Sequence, residues 1–219
     1  MGLWLVSVGG CVQGPSEAPP LVTSASGQAD TATIEACMVC HSTREMQRGP
    51  VLDGLPEWYL ADQLKKFKSG RRGNNAANRA GALMGAAMAK VETEAQLAGL
   101  ARHFAARKPK PFIRVIRGDL PVGRAQYATR CASCHGVKGE GKPEIASPPV
   151  NVQEDWFLLD QLRKYANGQR TVHPSDAGGV MMQASAAALS PDDLRNVVAY
   201  IAKDLTVTPP LQKVGPPKL

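Results

Sequence analysis

The sequence predicts an all-α chain of two tandem domains, and three observations predict it. Pro50, Trp58, Leu60, Asp62, Gln63, Leu64, Gly70, Arg72 and Met84 return as Pro148, Trp156, Leu158, Asp160, Gln161, Leu162, Gly168, Arg170 and Met182, each pair 98 positions apart. An ungapped recurrence of that length is an internal duplication, with too few copies for a solenoid. Apolar residues recur at helical spacing between caps and glycines, and no run alternates apolar and polar residues as a half-buried strand would. Finally, 219 residues with 21% charged and 43% hydrophobic side chains suit two small globular domains and exclude disorder throughout.

The elements follow in chain order. Residues 2–11 form a short apolar run that ends Gly9-Gly10-Cys11. The run resembles the end of a bacterial lipoprotein export signal, in which Cys11 would become the lipidated first residue and tie the protein to a membrane. No positive charge precedes it, and a frayed N-terminus with an incidental cysteine is the plain alternative. Residues 12–29, rich in Pro, Ser, Ala and Gly, read as a flexible tether. The first domain spans 30–108. In it Trp58 to Ser69 reads as a helix stopped by Gly70, and Thr93 to Lys108 as a second helix. Pro109 and Pro111 open a linker over 109–120, whose Phe112, Ile113, Val115 and Ile116 predict that it lies against a domain surface. The second domain spans 121–205. Val122 to Cys134, Trp156 to Asn167 and Pro191 to Asp204 are its helices, the last announced by a Ser190 cap, a first-turn proline and two acids. Residues 206–219 form a proline-rich tail. Nothing after residue 11 approaches the length of a membrane-spanning helix.

Cys37-Met-Val-Cys40-His41 and Cys131-Ala-Ser-Cys134-His135 both spell C-x-x-C-H, the pattern of covalent haem attachment. Two cysteines three apart on a helical turn share a face, so both reach the vinyl groups of one porphyrin while the adjoining histidine turns toward the iron. Zinc is the first rival, but the two cysteine pairs stand far apart and each has its own histidine. A redox-active dithiol is the second, and it would want a preceding strand that the sequence lacks. Two haem c groups also answer a compositional puzzle. Aromatic residues make up only 5% of the chain, thin for two separate cores.

On these motifs, together with Gly-Pro-Val-Leu-Asp-Gly at 49–54, Trp-Tyr-Leu-Ala-Asp-Gln-Leu at 58–64 and Trp-Phe-Leu-Leu-Asp-Gln-Leu at 156–162, the chain resembles the tandem dihaem class I cytochromes c, close to the periplasmic c-four type. The resemblance covers about residues 30–205 and implies two cytochrome c domains, each wrapped around one haem. It implies further that a methionine before each last helix binds iron opposite the histidine. Met84 and Met182 hold that position and pair with each other in the repeat, whereas Met88 would pair with Ala186 and Met181 with Leu83. In the family a proline carbonyl accepts the N–H of the histidine ligand. Pro50 and Pro148 match that proline, with Pro149 as an alternative to Pro148. His103 and His173 are the other histidines that would serve as distal ligands, though lone histidines are more often surface residues.

A haem held by histidine and methionine has both axial positions filled, which suits electron transfer and leaves no place for a substrate. The expected function is therefore a periplasmic electron carrier, passing single electrons from a quinol-oxidising complex to a terminal oxidase or reductase. A dihaem enzyme of the peroxidase or thiosulfate dehydrogenase type would need an open iron; a fixed subunit of a larger respiratory complex differs from the carrier only in permanence. The net charge of +7 points to acidic redox partners, and no zinc-finger or RNP signature points to nucleic acid. Haem propionates would offset part of that charge. Residues 30–108 carry 12 Lys and Arg against 8 acids, and 121–205 carry 9 against 9, so the first domain is the basic one. Lys65, Lys66, Lys68, Arg71 and Arg72 would steer an acidic partner there, or would simply solvate a helix C-terminus.

Overall fold

A computed structural model describes residues 29–42, 47–170 and 173–207. Cys11, the tether and most of the proline-rich tail lie outside the described residues. Nine α-helices stand among those described, with no strand beyond an isolated bridge between Lys142 and Ser147. They are α1 (Thr31–His41), α2 (Glu57–Lys68), α3 (Arg79–Met88), α4 (Glu94–Ala105), α5 (Leu120–Arg130), α6 (Ala132–His135), α7 (Asp155–Ala166), α8 (Ala177–Ala187) and α9 (Pro191–Tyr200), the last continued by a π turn over Ile201–Leu205.

Local chemistry sets their ends. Asp30 caps α1 by accepting the Thr33 amide, and Asp119 caps α5 by accepting that of Val122. Thr93 with Gln96, and Ser190 with Asp193, form capping boxes at the starts of α4 and α9. Gly70 and Gly168, at φ 70° and 74°, follow the ends of α2 and α7 in the left-handed region where glycine carries no steric penalty. Helix α4 ends at Ala105, short of the expected Lys108.

One of the expectations needs correction. The helix anticipated over Val122 to Cys134 breaks at Cys131 (φ −114°, ψ −40°), and α6 starts anew at Ala132. The bend brings the Gly136 carbonyl back onto the Tyr127 hydroxyl, which donates to it at 2.6 Å. The methionine-bearing segments that precede the last helices are helices in their own right, α3 and α8. Asn78 and Asp176, again 98 apart, cap them through Gly81 and Gly179.

Each half has its own core. Leu60, Leu64, Phe67, Met88, Leu97, Leu100 and Phe104 fill the first, where α2 packs on α4. Leu97 and Leu100 are fully buried, and each such side chain stabilises the half by about 1.5–3 kcal/mol. In the second, α5 and α7 pack on α9 around Tyr127, Leu159, Leu194, Val197 and Val198. Between the halves, Phe112 is buried and Ile116 packs on the second core, while Ile113 and Val115 face solvent, so the linker adheres by two of its four apolar residues. Asp155, itself buried, clamps it by accepting the Val115 and Ile116 amides at 2.7 and 2.8 Å.

The halves meet across a polar surface that follows the repeat. Arg72 donates to Gln161 Oε1 at 3.0 Å, and Arg170 to Gln63 Oε1 at 3.3 Å. Each arginine also bonds the glutamine of its own half and lies over an aromatic ring, Arg72 on Phe67 and Arg170 on Tyr165. Lys66 bridges to Asp176 at 3.1 Å.

Candidate functional site

Helix α1 carries Cys37, Cys40 and His41 on its last turns, so the two thiols and the ring share one end of one element. The His41 Nδ1 lies 2.6 Å from the Pro50 carbonyl oxygen. A carbonyl only accepts, so the proton sits on Nδ1 and the Nε2 lone pair is left for a metal. Gly49 makes room for this ring: a Cβ there would come within 2.5 Å of His41 Cε1. In the second half the break at Cys131 places Cys134 and His135 on α6. His135 Nδ1 donates to the Pro148 carbonyl at 2.8 Å, not to Pro149, and the Ser147 hydroxyl lies 3.2 Å from the same nitrogen.

His135 Nε2 faces the Met182 sulfur, 3.5 Å away. Met182 projects from α8 and packs on the second core; its repeat partner Met84 projects from α3 and packs on the first core, as do Cys37 and Met38. Of the alternatives, Met181 is 58% exposed and Met88 is 2% exposed within the first core. His173 is exposed and bonds the Ser175 hydroxyl. His103 lies edge-on to Phe104 with its Nε2 buried and unpartnered.

The electrostatics favour the protonation states that haem attachment needs. Burial pushes both imidazoles below their ordinary value, against the opposing effect of the Pro50 and Pro148 carbonyls, so the neutral ring prevails. Burial likewise raises the Cys37 and Cys131 thiols to about 11, the reverse of the depressed value of a redox-active dithiol. The four cysteines are unpaired, and among the described residues no three His, Cys, Asp or Glu side chains converge as a zinc site would require. Per half, two thiols, an imidazole with its outer nitrogen committed to a carbonyl, and a methionine packed in the same core fit the donor set of haem c.

The basic run does not form one patch. Lys66 and Arg72 turn into the surface between the halves, where burial and the like charge of Arg170 push the Arg72 guanidinium down to about 9. Lys65, Lys68 and Arg71 remain outside with Ser69 and Glu94 around a shallow depression. Around the histidines, Ser147 and Glu154 escaped the sequence reading, and Val51 entered it only as part of the 49–54 motif. Each shows in the repeat as a mismatch, opposite Gly49, Pro56 and Pro149.

Comparison with known proteins matches the cytochrome c family model twice, over residues 25–105 and 122–203. Cytochrome c4 of Azotobacter vinelandii is 28% identical over 186 residues, 81% of this chain and 87% of that one. A thiosulfate dehydrogenase electron acceptor of Thiomonas intermedia (strain K12) is 31% identical over 168 residues, 68% of this chain and 71% of that one. The solved structure of Acidithiobacillus ferrooxidans cytochrome c4 superposes with a TM-score of 0.59 at 26% identity, covering 76% of this chain and 98% of that one.

Proposed function

Because the chain belongs to the cytochrome c family through both of its domains, we propose that it carries single electrons in the periplasm, from a quinol-oxidising complex to a terminal oxidase or reductase. Two covalent haem c groups, one per domain, are its cofactors, and electron transfer is its activity. The proposed domains run from 30 to 108 and from 121 to 205. Cys37 and Cys40 hold the first haem by thioethers and Cys131 and Cys134 the second; His41 with Met84, and His135 with Met182, are the proposed axial pairs. Bound there, the iron supplies a one-electron change of charge with no proton required.

The observation that supports this reading most is His135, its Nδ1 held by the Pro148 carbonyl and its Nε2 turned to the Met182 sulfur. Pro50 and Pro148 fix the plane of each ring, so each histidine presents a lone pair in one direction. Methionine opposite histidine raises the reduction potential and closes the iron to peroxide or oxygen, which weighs against an enzyme of the peroxidase or thiosulfate dehydrogenase type. Lys65, Lys68 and Arg71 are the cations that would meet an acidic redox partner. The Thiomonas relative favours a second reading, in which the donor is an enzyme that oxidises thiosulfate and this chain is its electron acceptor, free or as a bound subunit. Lipidation of Cys11 would then hold either form at a membrane.

Haem quantitation and a redox titration of the purified holoprotein test the proposal. Two haems per chain and a red-edge sulfur-to-iron absorption band sized for two methionine ligands are expected; a high-spin ferric component, or a polypeptide mass without porphyrin, would overturn it. Replacing the thioether in Met182→Leu lowers one midpoint potential by roughly a hundred millivolts or more, within the range of about 0.8 V that axial ligands span.

A further inference from the structure

Glu154 lies at the N-cap of α7, yet its carboxylate caps nothing there. The residue is 5% exposed, and its Oε2 reaches into the other domain, accepting the Val51 amide at 2.8 Å and the Gln47 side-chain amide at 2.7 Å. The repeat places Pro56 opposite it, so this carboxylate has no counterpart in the first domain.

The Val51 N–H and the Pro50 C=O are the two ends of one peptide group. That carbonyl is the acceptor for His41 Nδ1 at 2.6 Å. Imidazole, amide and carboxylate therefore form one hydrogen-bonded line that starts in the first domain and ends in the second. A carboxylate on the N–H end is a charge-assisted partner that polarises the amide and leaves more negative charge on its oxygen. A more negative oxygen draws the Nδ1 proton outward and makes Nε2 a more electron-rich donor, which favours ferric over ferrous iron.

The second domain cannot build this line. Pro149 stands where Val51 does and has no N–H to donate, so the Pro148 carbonyl has no carboxylate behind it.

We infer that Glu154 of the second domain is a positioning residue for His41 of the first, lowering the potential of the first haem through the Pro50–Val51 peptide for as long as the domains are docked. The inference rests on His41 being the axial ligand proposed above. It makes the two haems unequal by design of the interface, and it makes separation of the domains raise the potential of one haem and not the other.

The test is a redox titration of full-length holoprotein carrying Glu154→Gln, which keeps an acceptor oxygen and removes the charge. One midpoint potential rises, on the order of a tenfold change in that haem's one-electron equilibrium, or about 59 mV. The haem that responds is the one Met182→Leu leaves alone. Val51→Pro, which gives the first domain the Pro-Pro pair of the second, moves the same potential in the same direction. Unshifted potentials, equal shifts of both, or a shift confined to the Met182 haem would overturn the inference while the ferric spectrum still shows two low-spin, methionine-ligated haems. If the unaltered protein lacks that spectrum, the ligand assignment fails and takes this inference with it.

Discussion

Around each histidine, single atoms decide how the ring is held. Gly49 leaves the His41 ring packed on bare backbone, since a Cβ at 2.5 Å from Cε1 would displace it. The repeat puts Ser147 at that place in the second domain, and its hydroxyl lies 3.2 Å from His135 Nδ1, beside the Pro148 carbonyl at 2.8 Å. The Nδ1 proton is thus shared between two acceptors, which enriches the imidazole as Glu154 does in the first domain, but through a neutral group. Ser147→Ala should raise the second haem's midpoint potential by about threefold in its equilibrium, roughly half the 59 mV of a tenfold change. A titration in which that potential stays put would show the hydroxyl to be a bystander. The paired cysteines with their histidines stand out in the sequence because thioether chemistry demands their spacing; the repeat marks Met182, whose sulfur lies 3.5 Å from His135 Nε2. Ser147 and Glu154 were visible only as mismatches, since the sequence does not say which atoms a mismatch touches.

Helices were legible where a cap or a glycine marks them. The capping boxes at Thr93 and Ser190 and the stops at Gly70 and Gly168 all read directly from residue type. The break at Cys131 has no such mark: neither Gly nor Pro stands there, and the bend answers to the Tyr127–Gly136 bond between segments. Helix α8 was missed for a related reason, since its small residues and methionines show little contrast between faces. Helix α5 packs closely on α9 where Gly123 meets Asn196; a Cβ would come within 2.1 Å of the Asn196 carbonyl oxygen. Gly123→Ala should destabilise the second domain by about 1–3 kcal/mol, as overpacking does. Denaturant unfolding of the holoprotein reads this, and an unchanged midpoint would mean the helices part freely.

At the scale of the molecule, the two halves are joined by a polar seam that obeys the repeat: Arg72 with Gln161, and Arg170 with Gln63, each arginine stacked on its own domain's ring. Hydrogen bonds to charged groups contribute about 1.5–3 kcal/mol each, so Arg72→Gln with Arg170→Gln should weaken docking while leaving both cores intact. Amide exchange should quicken at Val51 and the Asn75–Asn78 turn, and stay slow in α4 and α9; protection that is unchanged at the seam would assign docking to the linker instead. By itself the sequence determined the duplication, the covalent haem attachment and the helical class, because spacing along one chain is enough to place two thiols and an imidazole on one turn. Only the tertiary structure decided that Lys66 and Arg72 face the partner domain instead of solvent, and that Glu154 ends its reach at the peptide beside His41. Those contacts join residues about a hundred positions apart, and no local pattern encodes which surfaces of two folded domains will meet.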